Sequence, residues 1–107
     1  NTVYLSGQLG NVPGKLELAA GGIKAEARQT MENIKTSLAA HGMTMDHLVK
    51  CTVMLADMND WPAFNEVYKS YFHKHLPARS AFGCSGLALG GRLELECIAV
   101  LEPTGMS

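Results

Sequence analysis

Leu76-Pro77-Ala78-Arg79-Ser80-Ala81, a loop through Gly83, Gly86, Gly90 and Gly91, and then Arg92-Leu93-Glu94-Leu95-Glu96-Cys97-Ile98-Ala99-Val100 form one segment on which the rest of the chain can be laid out. Its last part alternates with period two. Leu93, Leu95, Cys97 and Ala99 share one strand face, and Glu94, Glu96, Ile98 and Val100 share the other. The first face suits contact with helices. The second is half acidic and half aliphatic, which is odd for plain solvent exposure and expects the cover of another subunit, where an acid must be paired or working. At the front of the segment, Arg79 follows Pro77-Ala78 in the connection from a helix to a strand, a common place for a binding group. A guanidinium binds carboxylates with two prongs, and a half-buried strand carboxylate is a candidate general base. If the two ends meet, Arg79 clamps an anion with a proton-transfer group, Glu94 or Glu96, beside it.

Outward from that segment, the elements read in the order β-β-α-β-α-β-β. Val3 to Leu9 has strand composition interrupted by Gly7, which marks either a bulge or a place where the backbone approaches a ligand and Ser6 and Gly7 present N–H groups. Pro13-Gly14 is turn chemistry, and Leu16-Glu17-Leu18 reads as a short return strand. Ile23 to His41 is a helix with Ile23, Ala27, Met31, Ile34 and Leu38 in one apolar stripe; Lys24, Glu26, Arg28, Glu32 and Lys35 fall elsewhere on its surface, and Gly42 stops it. His47 to Met58 is a central strand. Asn59 or Asp60 then caps a second helix with Pro62 in its first turn and Phe64, Val67, Tyr68 and Tyr71 as its core stripe. Ser80 to Leu89 gives a strand and turn, Gly90-Gly91 a reversal, Arg92 to Leu101 the last strand, and Thr104 to Ser107 a frayed tail. The pattern predicts one α+β domain over residues 1–107, a two-layer sandwich with the helices on one face of a mixed sheet.

Composition narrows the function classes. A net charge of -1 gives no basic footprint for nucleic acid or an anionic membrane, and no run of residues is apolar enough to span a bilayer. A hydrophobic share of 47% is high for 107 residues and argues for an oligomer. Cys51, Cys84 and Cys97 are odd in number and without framework spacing, so they read as reduced thiols of an intracellular protein. His73 and His75 could start a metal site, but no third ligand stands at a recognisable spacing, and no nucleotide-binding glycine motif is present; neither a metal nor an organic cofactor is expected. Arg79 as plain surface charge, and Glu94 with Glu96 as an ordinary outward polar face, remain the bland alternatives.

Tyr4-Leu5-Ser6-Gly7-Gln8, Val49-Lys50-Cys51-Thr52-Val53 running on to Asp57-Met58-Asn59-Asp60, Phe64-Asn65-Glu66-Val67-Tyr68, Pro77-Ala78-Arg79-Ser80 and Arg92 to Ala99 together resemble the Rid (YjgF-like) family of reactive-intermediate imine and enamine deaminases. The resemblance implies a chorismate-mutase-like fold and a cytoplasmic homotrimer with sites between subunits. It also implies hydrolysis of 2-imino acids such as 2-aminoacrylate and 2-iminobutanoate to 2-keto acids and ammonia. By position, Arg79 binds the substrate carboxylate, Glu94 orients the attacking water and shuttles its proton, and the backbone around Ser6 and Gly7 helps seat the substrate; Glu96 is left as structural. Ala81 stands where many members carry a cysteine, and Leu87-Ala88 where Leu-Pro is usual. Members also have a substrate-facing tyrosine ahead of the first strand; this chain starts at Asn1, already inside a strand pattern, so either residues precede it or this form lacks them. The family has been linked to RNA cleavage too, which the charge balance disfavours here. The other class left open is a trimer that binds keto acids through Arg79 without chemistry.

Overall fold

A computed structural model describes residues 1–101. It shows four strands, β1 (Thr2–Gln8), β2 (Leu48–Leu55), β3 (Ala78–Gly83) and β4 (Leu93–Val100), and two helices, α1 (Ile23–Ala39) and α2 (Trp61–Lys69). The sheet order is β1-β4-β2-β3, with β4 antiparallel to both of its neighbours and β3 parallel to β2. The apolar run from Leu48 to Leu55 is therefore central, and α2 is the crossover that carries the chain from β2 to its parallel partner β3.

Both helices cover one face. The predicted stripe of α1 is buried at Ala27, Met31, Ile34 and Leu38, against Leu93, Leu95, Cys97 and Ala99 of β4 and Cys51, Val53 and Leu55 of β2. Phe64, Val67 and Tyr68 bring α2 into the same cluster. Gly42 takes a φ of 71°, the left-handed conformation that ends α1 at little cost. The opposite face of the sheet has no cover among the described residues, and Tyr4 on it stays 76% exposed.

Three expectations change. Leu16 to Leu18 is not a strand: a single bridge joins Leu18 to Asn11 across the Pro13-Gly14 turn, too short for a ladder. The long run from His47 to Met58 is trimmed at both ends by one-turn 3-10 segments, Met45–His47 and Met58–Asp60. Asp60, one of the two expected positions, stands at the N-cap of α2 without a side-chain capping bond, while Asp57 accepts the N–H of Asn59 at the start of the second 3-10 segment. Glu26 is only 6% exposed although the helical spacing puts it outside the apolar stripe. Its carboxylate accepts the backbone N–H of Arg92 at 2.9 Å and lies 3.9 Å from Arg92 Nε, so it ties α1 to the start of β4. The tail expected over Thr104 to Ser107 lies outside the described residues.

Candidate functional site

Arg79 is the second residue of β3, in register with Cys51 of β2, and Cys51 is in register with Cys97 of β4. That parity puts the Arg79 side chain on the helix-covered face, at the sheet edge beneath α2. There the guanidinium lies 4.5 Å from the ring centre of Trp61 and 4.6 Å from that of Tyr68, and Nη1 donates to Asn65 Oδ1 at 2.7 Å. Trp61, Asn65 and Tyr68 recur at helical spacing along one side of α2. Two aromatic faces and an amide hold the cation, each ring contributing roughly 0.5–2 kcal/mol. None of the ion pairs among the described residues uses Arg79. It is a half-buried, oriented cation with N–H donors still available to a carboxylate.

Glu94 sits on the opposite face. It pairs in register with Met54, one residue out of phase with the Cys51–Cys97 row, and is half-buried. Its carboxylate fills the space over Gly7 of β1, so a Cβ on Gly7 would collide with Glu94 Oε2. Leu5 pairs with Cys97 and Gln8 with Leu95, so Ser6 and Gly7 oppose the single residue Glu96: the expected bulge is present. Bulge and close approach, posed as alternatives for Gly7, occur together, and the close approach is to Glu94. A shallow depression of about 240 Å³ beside them is lined by Tyr4, Ser6, Lys50, Thr52, Glu96 and Ile98.

The two ends of the Leu76–Val100 segment therefore do not meet within one chain. Arg79 is on the β3 edge and Glu94 is two strands away on the other face, because β2 inserts between β3 and β4. The sequence reading missed Trp61 and Asn65 as holders of Arg79 and counted Tyr68 only as core. The spacing 61, 65 and 68 on one helix face, ahead of the Pro77-Ala78-Arg79 turn, is the signal that could have found them. His73 and His75 are exposed, and no group of three or more metal-ligating side chains forms among the described residues. No helix among those residues is long and apolar enough to cross a membrane.

Residues 1–101 match the protein family described as Endoribonuclease L-PSP. The chain is 48% identical over 102 residues to a goat protein named 2-iminobutanoate/2-iminopropanoate deaminase, with 95% of this chain and 74% of that one covered. It is 42% identical over the same shares to the human protein of that name. Among solved structures it resembles RidA from an Antarctic Psychrobacter at 42% identity with a TM-score of 0.89, covering 94% of this chain and 81% of that one. It also resembles E. coli TdcF with bound serine at 36% identity with a TM-score of 0.87, over the same shares. With residues 1–101 matched by the family model and relatives at 42% and 48% identity over most of the chain, the chain belongs to the L-PSP family, also called YjgF or Rid.

Proposed function

We propose that this protein is a 2-imino acid deaminase that works as a homotrimer in the cytoplasm, with each site built from two neighbouring copies. Arg79 of one copy takes the substrate carboxylate on its two prongs and holds the iminium carbon near Glu94 of the next. Glu94 holds a water and accepts its proton as the water oxygen bonds to that carbon. The resulting carbinolamine carries the former C=N electron pair on nitrogen. Return of the proton to nitrogen lets the C–N bond break while Glu94 takes the hydroxyl proton and the O–H pair forms C=O, giving a 2-keto acid and ammonia, which then takes up that proton. The backbone at Ser6 and Gly7 seats the substrate beside Glu94. The iminium carbon is already electrophilic, so the steps draw only on these groups and one water.

The observation that carries this reading is the state of Arg79: oriented by Trp61, Tyr68 and Asn65, with no carboxylate partner among the described residues. The topology supports this assembly: Arg79 lies at the β3 edge and Ser6, Gly7 and Glu94 lie toward the β1 edge, unlike patches of the kind that a closed head-to-tail ring joins. The names of the goat and human relatives support the substrate class. An RNA-cleaving role, which the family description suggests, finds little support in nine basic against ten acidic residues.

The test generates 2-iminobutanoate in situ and measures ammonia release. Release faster than in buffer alone supports the deaminase. Binding of 2-ketobutyrate without faster release favours the alternative, a carboxylate-binding trimer that uses Arg79 alone.

A further inference from the structure

Directly behind Arg79, Cys51 of β2 and Cys97 of β4 face each other as register partners, with their sulfurs 3.3 Å apart. Both are buried and neither is disulfide-bonded. They differ in character. The S–H of Cys97 pulls the Cys51 thiol below its ordinary range, against the effect of burial, and the Tyr68 hydroxyl and Arg79 charge add to the lowering. The Cys97 thiol is pushed up, first by that same bond to Cys51 and then by burial. One sulfur is the better nucleophile and the other keeps its proton. The Tyr68 hydroxyl is buried beside Cys51.

We propose that Cys51 and Cys97 are a reversible redox pair, oxidised by a hydroperoxide to a cross-strand disulfide that loosens the seat of Arg79. The Cys51 thiolate attacks one peroxide oxygen, the O–O bond breaks, and the other oxygen leaves as an alcohol or water once protonated. Cys97 sulfur then attacks the Cys51 sulfenic sulfur; the S–O bond breaks and water leaves with the Cys97 proton. Two thiols lose two electrons, and the peroxide gains them. An external dithiol reverses the step by exchange. Neighbouring antiparallel Cα atoms stand at about 4.5–5.5 Å, inside the range a disulfide spans. Bonding brings sulfurs now 3.3 Å apart to about 2 Å, a shift under the Tyr68 ring on which Arg79 lies. Cys51 is fully buried and Cys97 is 3% exposed, so the oxidant has to be as small as a hydroperoxide.

The effect on Arg79 rests on the proposed site, whereas the thiol chemistry does not, and the test keeps them apart. A Cys84→Ser chain is treated with hydrogen peroxide, then unfolded and its thiols counted. Expected are loss of both thiols, a mass lower by about 2 Da, a linked Cys51–Cys97 peptide and full reversal by a dithiol. Two surviving thiols, a gain of oxygen atoms on Cys51 or Cys97 or links between chains would overturn the redox pair. Binding of 2-ketobutyrate is expected to weaken several-fold on oxidation and recover on reduction, and a Cys51→Thr chain to be indifferent to peroxide. A disulfide that leaves keto-acid binding unchanged overturns the control of Arg79 and leaves the deaminase standing. A chain inactive toward imines in either redox state sinks the deaminase and leaves the thiol chemistry standing.

Discussion

The edge that holds Arg79 and the face that holds Glu94 are built to different degrees of completion. At the edge, Trp61, Tyr68 and Asn65 fix the guanidinium within the chain, and Pro77 just before it is buried. On the face, Glu94 has Gly7 beneath it, while Tyr4, Ser6 and Glu96 around it are exposed. The helix layer finishes one half of the site. The other half is a sheet surface of mixed polarity that the described residues leave uncovered, the kind of surface that marks an interaction site. On the proposed reading the pocket forms only where copies meet, and catalysis depends on assembly.

The largest effects should come from the two poles themselves. Arg79→Ala should reduce imine hydrolysis to the uncatalysed background while leaving the oligomer intact by light scattering, since it removes the only group assigned to the carboxylate. Retained turnover in that variant would break the contrast at its completed end. Glu94→Gln should lower kcat by about 10²- to 10⁴-fold with keto-acid binding preserved, because it removes the proton acceptor and keeps the shape. Gly7→Ala comes next, at about 10²-fold in kcat, because the new methyl displaces the Glu94 carboxylate from its place. An unchanged kcat there would show that the position of Glu94 is not critical.

Trp61→Ala sharpens the other pole. Loss of one cation–π contact worth about 1 kcal/mol should raise KM roughly five-fold with little change in kcat. The smallest effect lies outside the site. The Tyr71 phenol is pushed up to about 12, first by burial and then by its 2.8 Å donation to Glu32. The folded chain thus keeps a proton that an unfolded tyrosine releases near its ordinary value of 10.0. Stability tied to this group is present in full below pH 10 and drains away as pH rises toward 12. Tyr71→Phe should flatten that part of the denaturation profile without altering turnover at neutral pH.

Much of this arrangement could be read before any coordinates. The alternation from Leu93 to Val100 separated the two sheet faces correctly, since period-two burial is a local property. The stripe of α1 and its glycine stop were equally local. Glu26 was misplaced because a charged residue at its position on α1 reads as solvated, and only the Arg92 N–H, 66 positions on, gives it a buried partner. The short return strand failed because three residues beside a tight turn form a bridge and not a ladder. The seat of Arg79 was only half legible: the 61, 65 and 68 spacing marks one helix face, but the parallel docking of β3 on β2 that sets this face over the edge is not a local property. The same docking separates Arg79 from Glu94, so one loop does not join them within a chain, and the proposed site is shared between chains instead.

Complementation tests that sharing most directly. Arg79→Ala and Glu94→Gln chains, each inactive alone, are co-expressed in equal amounts and the mixed oligomers assayed. In a head-to-tail trimer every mixed ring contains one interface with both native residues, so random mixing should restore about a quarter of the wild-type activity per chain. Mixed oligomers as inactive as either parent would contradict a site shared between copies.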